Sequence, residues 1–351
     1  MSKLVIATFA SETVMGAQVY ERAISSNAQH ALDRRAAGWE IDAVVVRSLR
    51  SHLAGTRRVP MGWLNDASAR TRAVAGRLMY PRADLVHRMK VGLPPAPGRD
   101  VLTLHDICPW KFDDEVKPGR AVREELRRAR AIVTPSAFSA SEIVEMFGVD
   151  EPVVIPNGFD RARFVGARPL PGEALAAMGI GDNFVLTAGG ASERKNLAGL
   201  AAAWPAVRRA SPQLQLVLVG PENANRTRLV KDLPGVVVAG RVSDEHLPQL
   251  MAAARAIVIP SLYEGFGLPA VEAMAVGVPV VALRASSLPE VVGDAGVLVD
   301  PTPEALADGI VWATSDDPAI AELVRRGHQR AESYSWERSA DQHAALWTRL
   351  A

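Results

Sequence analysis

The stretch 260–275 reads Pro-Ser-Leu-Tyr-Glu-Gly-Phe-Gly-Leu-Pro-Ala-Val-Glu-Ala-Met-Ala and places two carboxylates, Glu264 and Glu272, around Gly265, Phe266, Gly267 and Leu268. Glycines let backbone N–H groups come close to a ligand. Pro269 suits the first turn of a helix, where its missing N–H would have no partner in any case. A glycine loop running into a helix N-terminus offers free amides and the positive end of the helix dipole, which suits a phosphate. Glu264, on the loop, can reach a sugar hydroxyl. Glu272, in or near the first helical turn, can accept hydrogen bonds from ribose. An ordinary strand–loop–helix connection also carries such glycines. The two glutamates around Gly-Phe-Gly-Leu-Pro, followed by Gly277-Val278-Pro279-Val280, make the segment more specific than that.

A second group of chemical interest is His105-Asp106, which closes an apolar run at 101–104. At the carboxyl end of a strand a neutral imidazole can hydrogen-bond a sugar; packing in the strand end is the plainer alternative. Short β-branched runs that could hold these residues lie at 4–8, 42–46, 101–104, 131–134 and 153–155, and again at 184–188, 214–219, 236–239, 256–259, 280–283 and 296–299. Helical patterns fill most gaps, for example 13–38, 120–129, 197–210, 245–254 and 304–314. Such alternation predicts parallel sheets covered by helices on both faces. The series restarts after Asn157-Gly158 and a Pro- and Gly-containing stretch that ends near Gly181, which divides the chain into two doubly wound domains. Ligands of open parallel sheets bind at the carboxyl ends of the strands, so a cleft between two such domains is the expected site.

Composition narrows the function classes. With 351 residues there is enough chain for two domains, and 48% apolar with 23% charged residues is ordinary for a soluble protein. A net charge of +1 argues against bulk nucleic-acid binding. No apolar run reaches the roughly 20 residues that cross a bilayer. The start, Met1 to Ile6, reads as a first buried strand, and the lone Cys108 cannot form an internal disulfide; both fit a cytoplasmic protein. Between Glu40 and Lys90, ten basic residues (Arg47, Arg50, Arg57, Arg58, Arg70, Arg72, Arg77, Arg82, Arg88 and Lys90) face four acidic ones. A basic face there could lean on anionic headgroups at the inner face of the membrane or on an anionic lipid-linked acceptor. A solvated Arg-rich surface is the alternative, and co-sedimentation with anionic liposomes at low and high salt separates the two.

The segment 264–272 resembles the signature of the retaining glycosyltransferases of family 4, also described as glycosyl transferases group 1. The likeness runs over nearly the whole chain, most strongly from Asn157 onward. It implies the α/β GT-B fold, with two doubly wound Rossmann-like domains facing a central cleft. The N-terminal acceptor domain would span 1–165, joined by the C-terminal helix 335–351, and the nucleotide-sugar donor domain 166–334. On this resemblance, 189–197 (Gly-Gly-Ala-Ser-Glu-Arg-Lys-Asn-Leu) is the donor-phosphate loop, with Lys195 and then Arg194 as the cations on the diphosphate. A solvated basic helix start would look the same, and cations sit poorly at a helix N-terminus unless an anion joins them. Many members carry arginine where this chain has Gly190. The turn 240–244 resembles the one beside the nucleotide base, with Val242 offering backbone groups and Ser243 or Asp244 capping the next helix. His105-Asp106 matches a sugar-contacting element, and Ser136 a cleft position or a helix cap. Gly16 matches a glycine of the loop that follows the first strand, though the usual paired glycines are absent from 9–19. The implied catalytic residues are His105, Glu264 and Lys195. Donor binding falls to Arg194, Lys195, Gly190, Val242, Gly265 to Leu268 and Glu272; Gly16, Asp106 and Ser136 serve the acceptor or the phosphates. Trp336 and Trp347 are expected to pack the last helix.

The implied activity is hexosyl or deoxyhexosyl transfer from a nucleotide-diphosphate sugar to a glycan or lipid-linked acceptor, with retention (the 2.4 class of enzymes). Asp-x-Asp does not occur, and the histidines lack ligand spacing, so no metal and no cofactor is expected. Lys195, Arg194 and a helix N-terminus would take the metal's part. A glycosyl-enzyme intermediate on a glutamate fits less well than a same-face route in which the leaving phosphate assists the acceptor. His105-Asp106 together with Arg194-Lys195-Asn196 looks similar to members that use GDP-mannose or deoxysugar donors. Two rivals remain: a sugar-nucleotide epimerase of similar fold, which needs no acceptor, and a non-catalytic nucleotide-sugar-binding protein.

Overall fold

The computed structural model describes residues 2–11 and 16–351. The chain forms two compact units, one of 1–158 with 335–351 and one of 159–334. The sequence-based boundary at 165/166 lies later than this division, because Phe159 and Phe164 stack edge to face and join the second unit's core.

In the first unit seven strands pair in parallel: β1 (Ser2–Phe9), β2 (Trp39–Ser48), β3 (Arg57–Val59), β4 (Leu85–Arg88), β5 (Asp100–Thr103), β6 (Ala131–Thr134) and β7 (Val153–Val154). Their order is β3-β2-β1-β4-β5-β6-β7, so the winding reverses between β1 and β4. β3 and β4 have no counterpart among the sequence-predicted strands. β4 is buried at every position although two of its four residues are His87 and Arg88. Arg88 is held by Asp100 (2.6 and 2.8 Å) and Glu125 (3.1 Å), and Glu125 also takes the Arg72 Nε–H. The two guanidiniums further bind the carbonyls of Leu64, Gly92 and Leu93, which fixes the loop after β4.

The predicted helix 13–38 is Gly16–Asp33; residues 13–15 lie outside the described residues, and Gly38, at φ +85°, belongs to the turn into β2. Its buried residues Tyr20, Ile24, Ala28 and Ala31 recur at helical spacing on one face. They meet the last helix, Trp336–Leu350, whose N-terminus Ser335 caps by accepting from the Arg338 N–H (3.2 Å). Gly158 lies against this crossing: a Cβ there would stand 2.1 Å from the Trp336 nitrogen. Buried polar groups join the two helices to the sheet in one directional chain. Trp347 Nε1–H donates to His87 Nδ1 (3.1 Å), so the neutral His87 carries its proton on Nε2 and donates to Thr103 Oγ1 (2.8 Å). Thr103 then donates to the Tyr20 hydroxyl (2.9 Å), and Tyr20 donates to His343 Nε2 (2.8 Å). His343 Nδ1–H ends the chain on the Ser339 carbonyl (2.7 Å). These donor assignments follow from Trp347 being a donor only and the carbonyl an acceptor only.

The second unit holds β8 (Phe184–Ala188), β9 (Gln215–Val219), β10 (Val236–Gly240), β11 (Ala256–Ile259), β12 (Val280–Leu283) and β13 (Val297–Val299), all parallel in the order β10-β9-β8-β11-β12-β13. β8, β11 and β12 are apolar runs buried on both faces, as helix-covered parallel strands must be. The helices Leu197–Ala210 and Pro303–Ala313 pack against each other, and Leu268–Val276 packs against Ala319–Ala331. Among the described residues no helix is long and apolar enough to cross a membrane.

Candidate active site

The winding of the second sheet reverses between β8 and β11, and a pocket opens at their carboxyl ends. Thr187, Gly189, Gly190, Lys195, Arg226, Ser261, Glu264 and Pro269 are among its walls. Two glycines shape it. Gly220, which follows β9, has φ +147°, and a Cβ there would come within 1.9 Å of the Gly189 carbonyl oxygen. Gly189 itself has φ +145°. The loops after β8 and β9 thus press together backbone to backbone. Gly190 is unlike them: a Cβ there would meet nothing within 4 Å.

Lys195 and Arg194 stand on a 3₁₀ turn, Glu193–Lys195, ahead of the helix Leu197–Ala210. Asn196, left-handed at φ +51°, separates turn from helix and caps it, its Oδ1 accepting from the Gly199 N–H (3.2 Å). The cations are therefore outside the helix's first turn. Glu264 supplies the anion they need: Lys195 Nζ donates to Oε1 at 2.6 Å and Arg194 Nη1 to Oε2 at 3.2 Å. Ser261 Oγ donates to Oε1 as well (2.8 Å). The Glu264 carboxyl is only 8% exposed, against 16% and 19% for the two cations. Burial works against its ionisation, but Lys195 and Arg194 overcome this and hold it below the usual carboxylate range. The loop is fixed from behind, since Ser286 Oγ accepts from the Glu264 N–H (2.9 Å) and Ser287 Oγ donates to the carbonyls of Glu264 (2.8 Å) and Phe266 (2.9 Å). Glu264 was expected to hold a sugar hydroxyl; in the structure its oxygens are occupied by the two cations and Ser261.

The remainder of 264–272 divides between loop, core and helix. Gly267, at φ +101°, is the residue before the helix Leu268–Val276, which no side chain caps at its N-terminus. Gly265 is buried, and the Phe266 ring packs edge to face on Tyr334 (5.4 Å) inside the core, so only its backbone can serve a ligand. Leu268 is the first helical residue and half-buried. Glu272 is the fifth, just past the first turn and so near it as expected, and does not line the pocket. Half-buried and without a hydrogen bond among the described residues, it has its pKa pushed up to about 7 by burial, with Arg163 opposing and Asp244 adding to the shift. Its charged neighbours thus include Asp244, on the turn that also carries the half-buried Val242. Ser243 Oγ accepts from the His246 N–H (3.2 Å) at the start of the next helix, His246–Ala253.

In the first unit, His105 follows β5, its ring edge to face with Tyr20 at 4.7 Å. Its Nε2 is buried without a hydrogen-bond partner among the described residues. Burial lowers its pKa to about 4, Asp106 opposing and Lys90 reinforcing the shift, so the ring is neutral at pH 7. Asp106 Oδ1 accepts from the Cys108 N–H (3.0 Å). Ser136 is fully buried and caps the helix Ala137–Phe147, accepting from the Ser139 N–H (3.1 Å). Gly16 is the first residue of its helix, and 12–15, within the stretch read as the phosphate loop, lie outside the described residues. Of the ten basic residues between 40 and 90, Arg72 and Arg88 are buried in the ion pairs of β4, whereas Arg50, Arg57, Arg58, Arg70 and Arg77 are exposed. Sequence reasoning did not anticipate Arg226 in the pocket wall, nor Ser261, Ser286 and Ser287 around Glu264.

A family profile described as "Glycosyl transferases group 1" matches residues 182–316. The O-antigen chain mannosyltransferase B of Escherichia coli is 33% identical over 302 residues, 76% of this chain and 77% of that protein. The MMP alpha-(1->4)-mannosyltransferase of Mycolicibacterium hassiacum is 34% identical over 232 residues, which span 63% of this chain and 54% of that protein. Among solved structures, sucrose-phosphate synthase from Thermosynechococcus elongatus superposes with a TM-score of 0.76 at 23% identity, over 100% of this chain and 99% of the other. Anabaena HepE in complex with UDP and glucose gives 0.73 at 22%, over 99% of this chain and 100% of the other. These likenesses show the two-domain α/β fold, GT-B, that the sequence led us to expect.

Proposed function

This chain belongs to the glycosyl transferases of group 1 and is a glycosyltransferase, and on that premise we propose that it moves a mannosyl or related hexosyl group from a nucleotide-diphosphate sugar to a glycan or lipid-linked acceptor, with retention and without a metal. The observation that carries the reading is the Lys195–Glu264–Arg194 cluster in a pocket at the carboxyl ends of β8 and β11. The mannosyltransferases at 33% and 34% identity support a mannosyl group, and the GDP-linked donor rests on the sequence resemblance alone.

In this reading the diphosphate enters the pocket beside Lys195 and Arg194, with the uncapped start of the helix Leu268–Val276 adding amide dipoles. Charge develops on the leaving phosphate as the glycosidic bond breaks, and fixed cations stabilise it without reorganising. Glu264 holds both cations in place before the donor arrives. Glu272 accepts from the ribose and Val242 pairs with the base through its backbone; in the first unit the neutral His105, its Nε2 without a hydrogen-bond partner among the described residues, is suited to a sugar hydroxyl. The exposed arginines of the first unit, with Trp63 and Leu78 also exposed, suit a peripheral contact with anionic lipid.

A panel of sugar nucleotides tests the proposal, by thermal shift for binding and by mass spectrometry for products. GDP-mannose is expected to shift the unfolding midpoint and to yield a mannosylated acceptor, and Lys195→Ala to lower turnover at least roughly tenfold, about 1.4 kcal/mol of transition-state stabilisation. A UDP-linked donor preferred over every GDP-linked one overturns the donor assignment; near-normal turnover in Lys195→Ala overturns the site.

A further inference from the structure

The pocket wall contains a cation that forms no ion pair among the described residues. Arg226, on the short helix Ala224–Val230 after β9, is 2% exposed. Its Nη2 donates to the Gly220 carbonyl at 3.0 Å, and its Nε is buried with no hydrogen-bond partner among the described residues. No carboxylate lies within ion-pair distance of it among the described residues, whereas the other large buried guanidiniums, Arg72 and Arg88, are each paired. Burial disfavours its charge, and Glu222 offsets this only in part. A buried, hydrogen-bonding cation without a counter-ion is destabilising unless something else supplies the negative charge. The protein places this one beside Gly189 and Gly190, in the same pocket as Lys195, and leaves open space at Gly190 in front of it.

We propose that Arg226 is a third donor-binding cation, which engages the diphosphate of the nucleotide sugar from the β9 side of the pocket while Lys195 and Arg194 engage it from the β8 side. The charges agree with this. Arg194, Lys195 and Arg226 against Glu264 leave a net charge of two positive, and the diphosphate of a nucleotide sugar carries two negative. The planar guanidinium also matches a phosphate through paired N–H donors in a way that a lysine does not. The Gly220 carbonyl orients the fork, and the close approach of Gly220 to Gly189 sets its depth. The assignment rests on the donor-pocket reading above.

Titration calorimetry of the full chain with GDP, UDP and inorganic pyrophosphate tests it, comparing wild type with Arg226→Gln, Arg226→Lys and Lys195→Gln. Arg226→Gln is expected to weaken pyrophosphate and nucleoside diphosphate binding at least roughly tenfold, and Arg226→Lys less. The unliganded Arg226→Gln protein should unfold at the wild-type temperature or above it, because the substitution removes an unpaired buried charge. Binding in Arg226→Gln equal to wild type, while Lys195→Gln loses it, overturns the role of Arg226 and leaves the donor pocket standing. Lower thermal stability of Arg226→Gln at unchanged affinity likewise reduces Arg226 to a brace for Gly220. Absence of all three ligands from the wild-type protein overturns the donor-pocket reading and this inference with it.

Discussion

Replacing Glu264 by glutamine keeps the volume of the side chain and removes one charge, which isolates what that charge does. Lys195 Nζ and Arg194 Nη1 then lose partners at 2.6 and 3.2 Å, in a pocket where the cations are 16% and 19% exposed. Removing one member of a fully buried ion pair costs about 3–5 kcal/mol. These cations keep some solvent, so about 2–3 kcal/mol is the appropriate range. In a unit of this size 1 kcal/mol corresponds to roughly 2–4 °C, so the midpoint should fall by about 4–12 °C. A second measurement separates electrostatics from simple damage. Inorganic pyrophosphate replaces the missing carboxylate, so it should raise the midpoint of Glu264→Gln by more than that of the wild type. Turnover should fall nevertheless, because the cations are no longer held in place before the donor binds. Scanning calorimetry with and without pyrophosphate reads both effects. A Glu264→Gln protein that melts with the wild type, or equal stabilisation of the two by pyrophosphate, refutes the reasoning.

Two further outcomes concern titration. With its pKa pushed up to about 7, Glu272 gains its charge across neutral pH, so a ribose-accepting role makes nucleotide affinity rise from pH 6 to pH 8. Calorimetry on Glu272→Gln should show the rise abolished, and a rise that persists in that variant removes Glu272 from the ribose. His343 is held neutral in the folded state with a pKa of about 4, chiefly by burial, against about 6.5 when unfolded. The unfolded state therefore binds the extra proton first. The stabilisation from neutral His343 is complete above about pH 6.5 and is lost as pH falls toward 4, up to about 3 kcal/mol in total. Denaturant midpoints of wild type and His343→Gln should accordingly converge on acidification, and parallel pH profiles would count against it.

What the sequence revealed depended on how far each signal reached along the chain. β8, β11 and β12 were legible because continuous β-branched runs bounded by Gly, Pro or Asn need no partner to be recognised. β4 was not, because its His87 and Arg88 look solvent-facing until Thr103, Asp100, Glu125 and Trp347 are brought to them by the fold. Two members of the basic surplus between 40 and 90, Arg72 and Arg88, are internal for the same reason. The segment 264–272 is loop and helix start, as its Gly-Phe-Gly-Leu-Pro suggests, but the ion pairs of Glu264 were not legible: those partners lie 69 and 70 residues earlier. Arg226 carried no local signal that distinguishes it from Arg228 on the same short helix; only one of them is buried.

The division of the chain has a consequence for the order in which it can fold. The second unit is contiguous, 159–334, whereas the first needs 335–351, made after the whole of the other. During synthesis the second unit can complete its sheet while the first still lacks the helix Trp336–Leu350. Until that helix arrives, the apolar face of Gly16–Asp33 has no cover and the hydrogen-bond chain from His87 through Tyr20 has neither its first donor nor its last acceptor. Emergence of Trp347 and His343 closes both at once. The first unit of the ribosome-bound nascent chain thus keeps an open flank until residues 335–351 emerge to seal it.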